Sequence, residues 1–197
     1  MCRFLESIRI ENGEPQLLAL HQDRVNRSLN TWNAKSLDLS ELAAVQDFPK
    51  TGLFKWRIVY DAMGVIRQEL QAYHRARHTS FLIVDGSHLD YSFKYEDRSE
   101  LEKLKRTGYE IIIHRNARIC DSSYSNLIFE KDAKWFTPRS FLLNGVMRRH
   151  LLSIDAISEA DITLDNIHLF RSFQLINAMN RFGENTYSLL DIVNPKI

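Results

Sequence analysis

The chain has 197 residues, 44% of them apolar, and its 26 Lys and Arg against 25 Asp and Glu leave a formal net charge of +1. That suits one or two small α/β domains with a sizeable core, and it excludes the electrostatic footprint of a nucleic-acid or acidic-membrane binder. Two cysteines, Cys2 and Cys120, exclude a disulfide framework, and no apolar run is long enough to span a bilayer. Glu6, Arg9 and Glu11 interrupt any apolar core of an N-terminal signal, so the sequence reads as cytoplasmic.

Residues 3–10 alternate as a strand, and Asn12-Gly13 marks a hairpin turn. Residues 17–33 read as a helix, with Leu17, Leu20, His21, Arg24, Val25, Ser28, Leu29 and Trp32 recurring at helical spacing. His21 and Arg24 fall on this apolar face. A buried arginine is rare unless it meets an anion; the alternative is that Arg24 snorkels to a surface carboxylate. Asp38-Leu39-Ser40-Glu41 has the form of a capping box opening a short helix that ends before Pro49. Phe54 to Tyr60 and Val65 to Tyr73 form a hairpin across Asp61 to Gly64. Arg57 sits mid-strand, either outward and solvated or inward against an anion.

His74 and His78 lie at a strand end, where metal ligation lacks the helix and third ligand it needs, so no metal is expected. Phe81 to Val84 is a short buried strand. Asp85-Gly86-Ser87-His88 then turns and divides the chain into a small N-terminal α/β domain, 1–85, and a larger C-terminal one, 86–197. Residues 96–106 read as a helix with a solvated face of mixed charge. Strands are expected at Tyr109 to His114, Leu127 to Phe129 and Trp135-Phe136. A helix is expected from Gly145 to about Leu152, and another over 168–182.

Three segments carry chemistry when read together. Lys94 lies between Phe93 and Tyr95, and Lys94-x-x-Asp97-Arg98 precedes a helix. Asp121 precedes Ser125-Asn126 and an apolar strand ending at Phe129. Asn144-Gly145-Val146-Met147-Arg148 opens a helix. In this order, with His21-Gln22-Asp23-Arg24-Val25 before them, the chain resembles the class IV aminotransferases. This is a pyridoxal-phosphate family that also holds branched-chain and D-amino-acid aminotransferases and aminodeoxychorismate lyase. Leu175-Ile176-Asn177-Ala178-Met179 resembles the family's C-terminal helix. The first strand, Phe4-Leu5-Glu6-Ser7-Ile8-Arg9, resembles the family's Phe-Glu-Thr-Ile-Arg strand.

The resemblance implies a two-domain α+β/α/β architecture, the pyridoxal-phosphate fold type IV of D-amino-acid aminotransferase, here shortened by one hairpin at its start. It implies pyridoxal 5'-phosphate as cofactor, a small-molecule amino substrate and a homodimer. Lys94 is then the catalytic Schiff-base lysine and Asp121 the carboxylate for the pyridine nitrogen, standing where the family has glutamate. Arg24 and the turn at Gly145, Val146 and Met147 serve the phosphate. Ser125 and Asn126 complete the cofactor site, and Arg57 meets the substrate carboxylate. Taken alone, Lys94 is one of many lysines and Asp121 one more turn-capping aspartate. The activity implied is transamination of a small amino acid or amine. The alternatives are 4-amino-4-deoxychorismate lyase, with pyruvate expelled from the same carbanion, and a binding relative without catalysis. A nucleotide-binding α/β domain lacks its Gly-x-Gly-x-x-Gly or Gly-Lys-Ser/Thr loop.

Overall fold

A computed structural model describes residues 2–32 and 34–193. Its backbone contacts group into two compact units, one of Met1–Arg75 with Phe93–Asp97, the other of Ala76–Ser92 with Arg98–Ile197.

The first unit is a four-stranded antiparallel sheet with two helices. Strand β1, Phe4–Glu11, turns through Asn12 and Gly13, both at positive φ, into the short β2, Glu14–Pro15. This is the hairpin that Asn-Gly favours, because both central residues need the left-handed region. Helix α1, Leu18–Asn30, follows, and its buried residues His21, Arg24, Val25, Ser28 and Leu29 fall at the spacing of one face. Asn33, the end of the expected helix, lies outside the described residues. Helix α2, Leu39–Ala44, starts where the Asp38 carboxylate accepts from the amides of Ser40 and Glu41. Strands β3, Leu53–Asp61, and β4, Gly64–Ala72, complete the sheet in the order β2-β1-β3-β4.

Phe4, Ile8 and Ile10 of β1 and Trp56, Ile58 and Tyr60 of β3 pack with Val25 and Leu29 of α1 into one core. Phe93 and Tyr95 pack against that core from much later in the sequence. Their segment is tied to β1 through Leu5 N–H to the Lys94 carbonyl, 2.9 Å, and a bridge between Phe4 and Tyr95.

The second unit contains β5, Phe81–Asp85, then α3, Ser99–Leu104, shorter than the expected 96–106. Next come β6, Glu110–Arg115; β7, Arg118–Ser122; β8, Asn126–Lys131; and β9, Lys134–Pro138. Helix α4, Val146–Ser153, is followed by β10, Ser158–Ala160, β11, Ser172–Ile176, β12, Tyr187–Ser188, and β13, Ile192–Val193. The sheet runs β10-β9-β8-β7-β6-β5-β13, and β11 pairs with both β8 and β12.

The helix expected over 168–182 is not there. Residues 172–176 instead form β11, antiparallel to β8 with Phe173 opposite Phe129 and Leu175 opposite Leu127. Phe173, Gln174, Leu175 and Ile176 are all buried, and a short run buried on both faces carries no period that separates strand from helix. The strand stops at Asn177, whose Oδ1 accepts from the amides of Met179 and Asn180 at 2.8 and 2.9 Å. No helix among the described residues is long and apolar enough to cross a membrane.

Candidate active site

In the first unit Arg24 meets an anion, and the anion is Glu6. Arg24 Nε donates to Glu6 Oε1 at 2.7 Å and Nη2 to Oε2 at 2.5 Å, a side-on bidentate pair. Glu6 is 0% exposed because it shares the inward register of Phe4, Ile8 and Ile10 on β1. Burial raises its pKa, but Arg24's charge and hydrogen bonds, with His21's, outweigh that and hold it at about 2.

His21 Nδ1 lies 2.6 Å from Glu6 Oε2. An ionised carboxylate only accepts, so Nδ1 carries the proton and donates. Burial is the main reason the His21 pKa is lowered, and Arg24 and Lys94 add to it against the pull of Glu6. The ring is therefore neutral, and its Nε2 is buried with no hydrogen-bond partner among the described residues.

Lys94 is placed by its backbone, one residue before the Phe4–Tyr95 bridge. Arg57 stands in register between Ser7 of β1 and Glu69 of β4, on the sheet face opposite Trp56 and Ile58. It is half-buried there, and its Nε has no hydrogen-bond partner among the described residues.

In the second unit Asp121, Asn126 and Gly145 form one interlocked cluster. Asp121 Oδ1 accepts from Asn126 Nδ2 at 2.7 Å, and Oδ2 accepts from the amides of Leu142 and Leu143 at 2.9 Å each. Burial pushes its pKa up to about 6 against these three donors and the charge of Arg148. Asn126 Nδ2 also donates to the Leu143 carbonyl at 2.8 Å. Its Oδ1 lies so close to Gly145 that an added Cβ would come within 2.0 Å of it. Gly145 is thus required by Asn126, whatever else approaches the turn.

Gly145 is the N-cap of α4, and no side chain among the described residues caps this helix end. Its first amides, at Val146 and Met147, form the positive end of the helix dipole. Arg148, in the same first turn, is fixed by its own contacts. It donates to Glu159 at 2.5 Å, to the Pro138 carbonyl and Asn144 Oδ1 at 3.1 Å each, and stacks 4.6 Å above the Phe141 ring.

Ser125 stands beside this cluster and accepts at Oγ from Asn177 Nδ2 at 2.7 Å. Arg98 donates to the Ser123 carbonyl, and Glu110 accepts from the Ser123 amide, so the Ser122–Ser125 turn is held from several sides.

The structure therefore gathers Asp121, Ser125, Asn126, Gly145, Val146 and Met147 in one unit and places Arg24, Arg57 and Lys94 in the other. Sequence reasoning missed Glu6. Its signal was available, as a carboxylate at an apolar register position of an alternating strand. The amides of Leu142 and Leu143 left no signal, since any residue supplies an amide.

Residues 96–182 match a family model described as Amino-transferase class IV. The chain is 35% identical over 187 residues to an uncharacterized protein of Haemophilus influenzae, covering 91% of this chain and 99% of that one. A crystal structure from Haemophilus somnus, provisionally named a 4-amino-4-deoxychorismate lyase, superposes with a TM-score of 0.86 at 30% identity, covering 92% of this chain and 98% of that one. A structure from Mesorhizobium loti, provisionally named an amino-acid aminotransferase, superposes with a TM-score of 0.78 over 98% of this chain and 100% of that one. At 18% identity it shows the shared fold. With a relative this similar over nearly its whole length and the Asp121–Asn126–Gly145 cluster in place, the chain belongs to the class IV aminotransferase family of pyridoxal-phosphate-dependent enzymes.

Proposed function

We propose that the protein is an aminotransferase-type enzyme that uses pyridoxal phosphate and Lys94 to act on a small amino acid or amine. The observation that carries this reading is the cluster around Asp121. It combines a buried carboxylate, which suits a protonated ring nitrogen, with an uncapped helix N-terminus, which suits a phosphate. The donor set fits the cofactor. Asp121 Oδ1 accepts from Asn126 Nδ2 and has a second lone pair, and burial makes a cationic N–H partner favourable for it.

When bound, the cofactor supplies an electron sink for the carbanion formed at the substrate carbon. Lys94 Nζ would be the amine that holds the cofactor and, once the substrate amine has taken its place, the base that takes the proton from the substrate carbon. Asp121 would hold the proton on the ring nitrogen. Ser125 and Asn126 keep the strand and carboxylate in place. The amides of Val146 and Met147 would hold the phosphate, a role that Arg24 would share, and Gly145 leaves room for the turn. Arg57 pairs with the substrate carboxylate. The enzyme works as a cytoplasmic homodimer, which sedimentation of the purified protein checks.

Lyase chemistry on 4-amino-4-deoxychorismate is the second reading, favoured by the name of the Haemophilus somnus structure. Both begin with the same proton removal, so products decide between them. Amino transfer to an added keto acid supports the first. Keto-acid-independent release of pyruvate and 4-aminobenzoate supports the second.

The cofactor reading is tested directly. Protein incubated with pyridoxal phosphate turns yellow, and borohydride fixes the ligand to the peptide carrying Lys94. Lys94→Ala abolishes both the adduct and turnover. Wild-type protein that stays colourless and gains no mass on reduction refutes it.

A further inference from the structure

We propose that Glu6 and His21 are positioning residues for Arg24, fixing its guanidinium so that the protein distinguishes a phosphate ester from the same ligand without phosphate. The proposal rests on the reading that Arg24 serves the cofactor phosphate.

The geometry carries it in three steps. First, Glu6 takes the Nε–Nη2 edge of Arg24 with two charge-assisted bonds, which sets both the plane and the rotation of the guanidinium. Second, Glu6 is itself held by His21, which donates from Nδ1 to the oxygen that also accepts from Arg24 Nη2. Third, the two helical residues are three apart on α1 and reach one strand residue, so backbone elements fix the whole set.

Because His21 is neutral, the set has one positive and one negative charge. It adds no net charge, so its effect on anion binding comes through orientation. A free arginine side chain loses much rotamer freedom on binding a ligand. Holding it beforehand removes that cost from the binding step.

The test compares pyridoxal phosphate with pyridoxal. Both bond through the aldehyde, and the ratio of the pyridoxal to the pyridoxal phosphate dissociation constant, compared between variant and wild type so that pyridoxal's own hemiacetal closure cancels, isolates the phosphate contact. Both are titrated by absorbance into wild-type protein and into Arg24→Lys, Glu6→Gln and His21→Asn, with circular dichroism checking the fold. Arg24→Lys and Glu6→Gln are expected to reduce the ratio about tenfold, and His21→Asn about threefold, as for loss or loosening of a charge-assisted hydrogen bond. Pyridoxal affinity is expected to stay within about twofold, since no aldehyde contact is altered.

If Glu6→Gln does not fold, His21→Asn carries the same comparison. If Arg24→Lys lowers the ratio while the Glu6 and His21 variants keep it, the positioning role is overturned and the Arg24 reading survives. An unchanged ratio in Arg24→Lys overturns the Arg24 reading, and the positioning proposal with it. Equal losses for both ligands in the Glu6 and His21 variants mean a structural role only, which also overturns the proposal.

Discussion

Glu6 and Asp121 are both fully buried carboxylates, yet their surroundings drive them in opposite directions. Glu6 faces a guanidinium and stays ionised, whereas Asp121 faces amides and is pushed up to about 6. A raised carboxylate binds its proton more tightly in the folded state. Its contribution is therefore present below its ordinary pKa of 3.8 and is lost as pH rises through 6, a loss of about 3 kcal/mol by neutral pH. Asp121→Asn in cofactor-free protein should flatten the urea-unfolding free energy between pH 4 and 6, and an unchanged slope would show that Asp121 is not the group titrating. The same cluster makes a steric prediction. Gly145→Ala should cost about 1–3 kcal/mol by crowding Asn126, and the loss should be partly relieved when Asn126 is also truncated, a coupling that a double-mutant cycle measures. At this scale the sequence was half legible. Asp121, Asn126 and Gly145 stood in a recognisable order, but Asn126 as the reason for the glycine appeared only once β8 and the turn were side by side.

Strand β11 is the element on which sequence reasoning failed. Its residues Phe173 to Ile176 have no alternation because both faces are covered, and only pairing with β8 shows what they are. Helix α1, by contrast, was legible because one face is buried and the other is wet. The packing of β11 gives a measurable consequence. Phe173 is 0% exposed, with ring contacts to Phe81 at 4.8 Å and Tyr187 at 5.5 Å. Phe173→Ala should destabilise the protein by about 3–5 kcal/mol in chemical denaturation, while Leu169→Ala, half exposed, should stay within about 0.5 kcal/mol.

Across the molecule the titrating groups are unevenly shared. Glu6 and His21 lie in the first unit and Asp121 in the second. The lowered Glu6 contributes stability present above 4.5, about 3 kcal/mol, that is lost as pH falls towards 2. The lowered His21 acts with the same sign, its contribution complete above 6.5 and lost as pH falls below it. Asp121 acts with the opposite sign. On acidification from pH 7 to 4, amides of β1 and α1 should therefore lose hydrogen-exchange protection before those of β7 and β8. Simultaneous loss in both units would refute this ordering.

Chain membership of the units has one more effect. Phe93–Asp97 belongs with Met1–Arg75 although residues 76–92 lie between, so the polypeptide leaves the first unit, returns once with the lysine, and leaves again. No single scission can yield two self-sufficient fragments. A truncation ending at residue 75 lacks the aromatic pair Phe93 and Tyr95 that seals its interior, and should be recovered as a soluble, cooperatively melting piece only when a peptide spanning 93–97 is grafted back onto it.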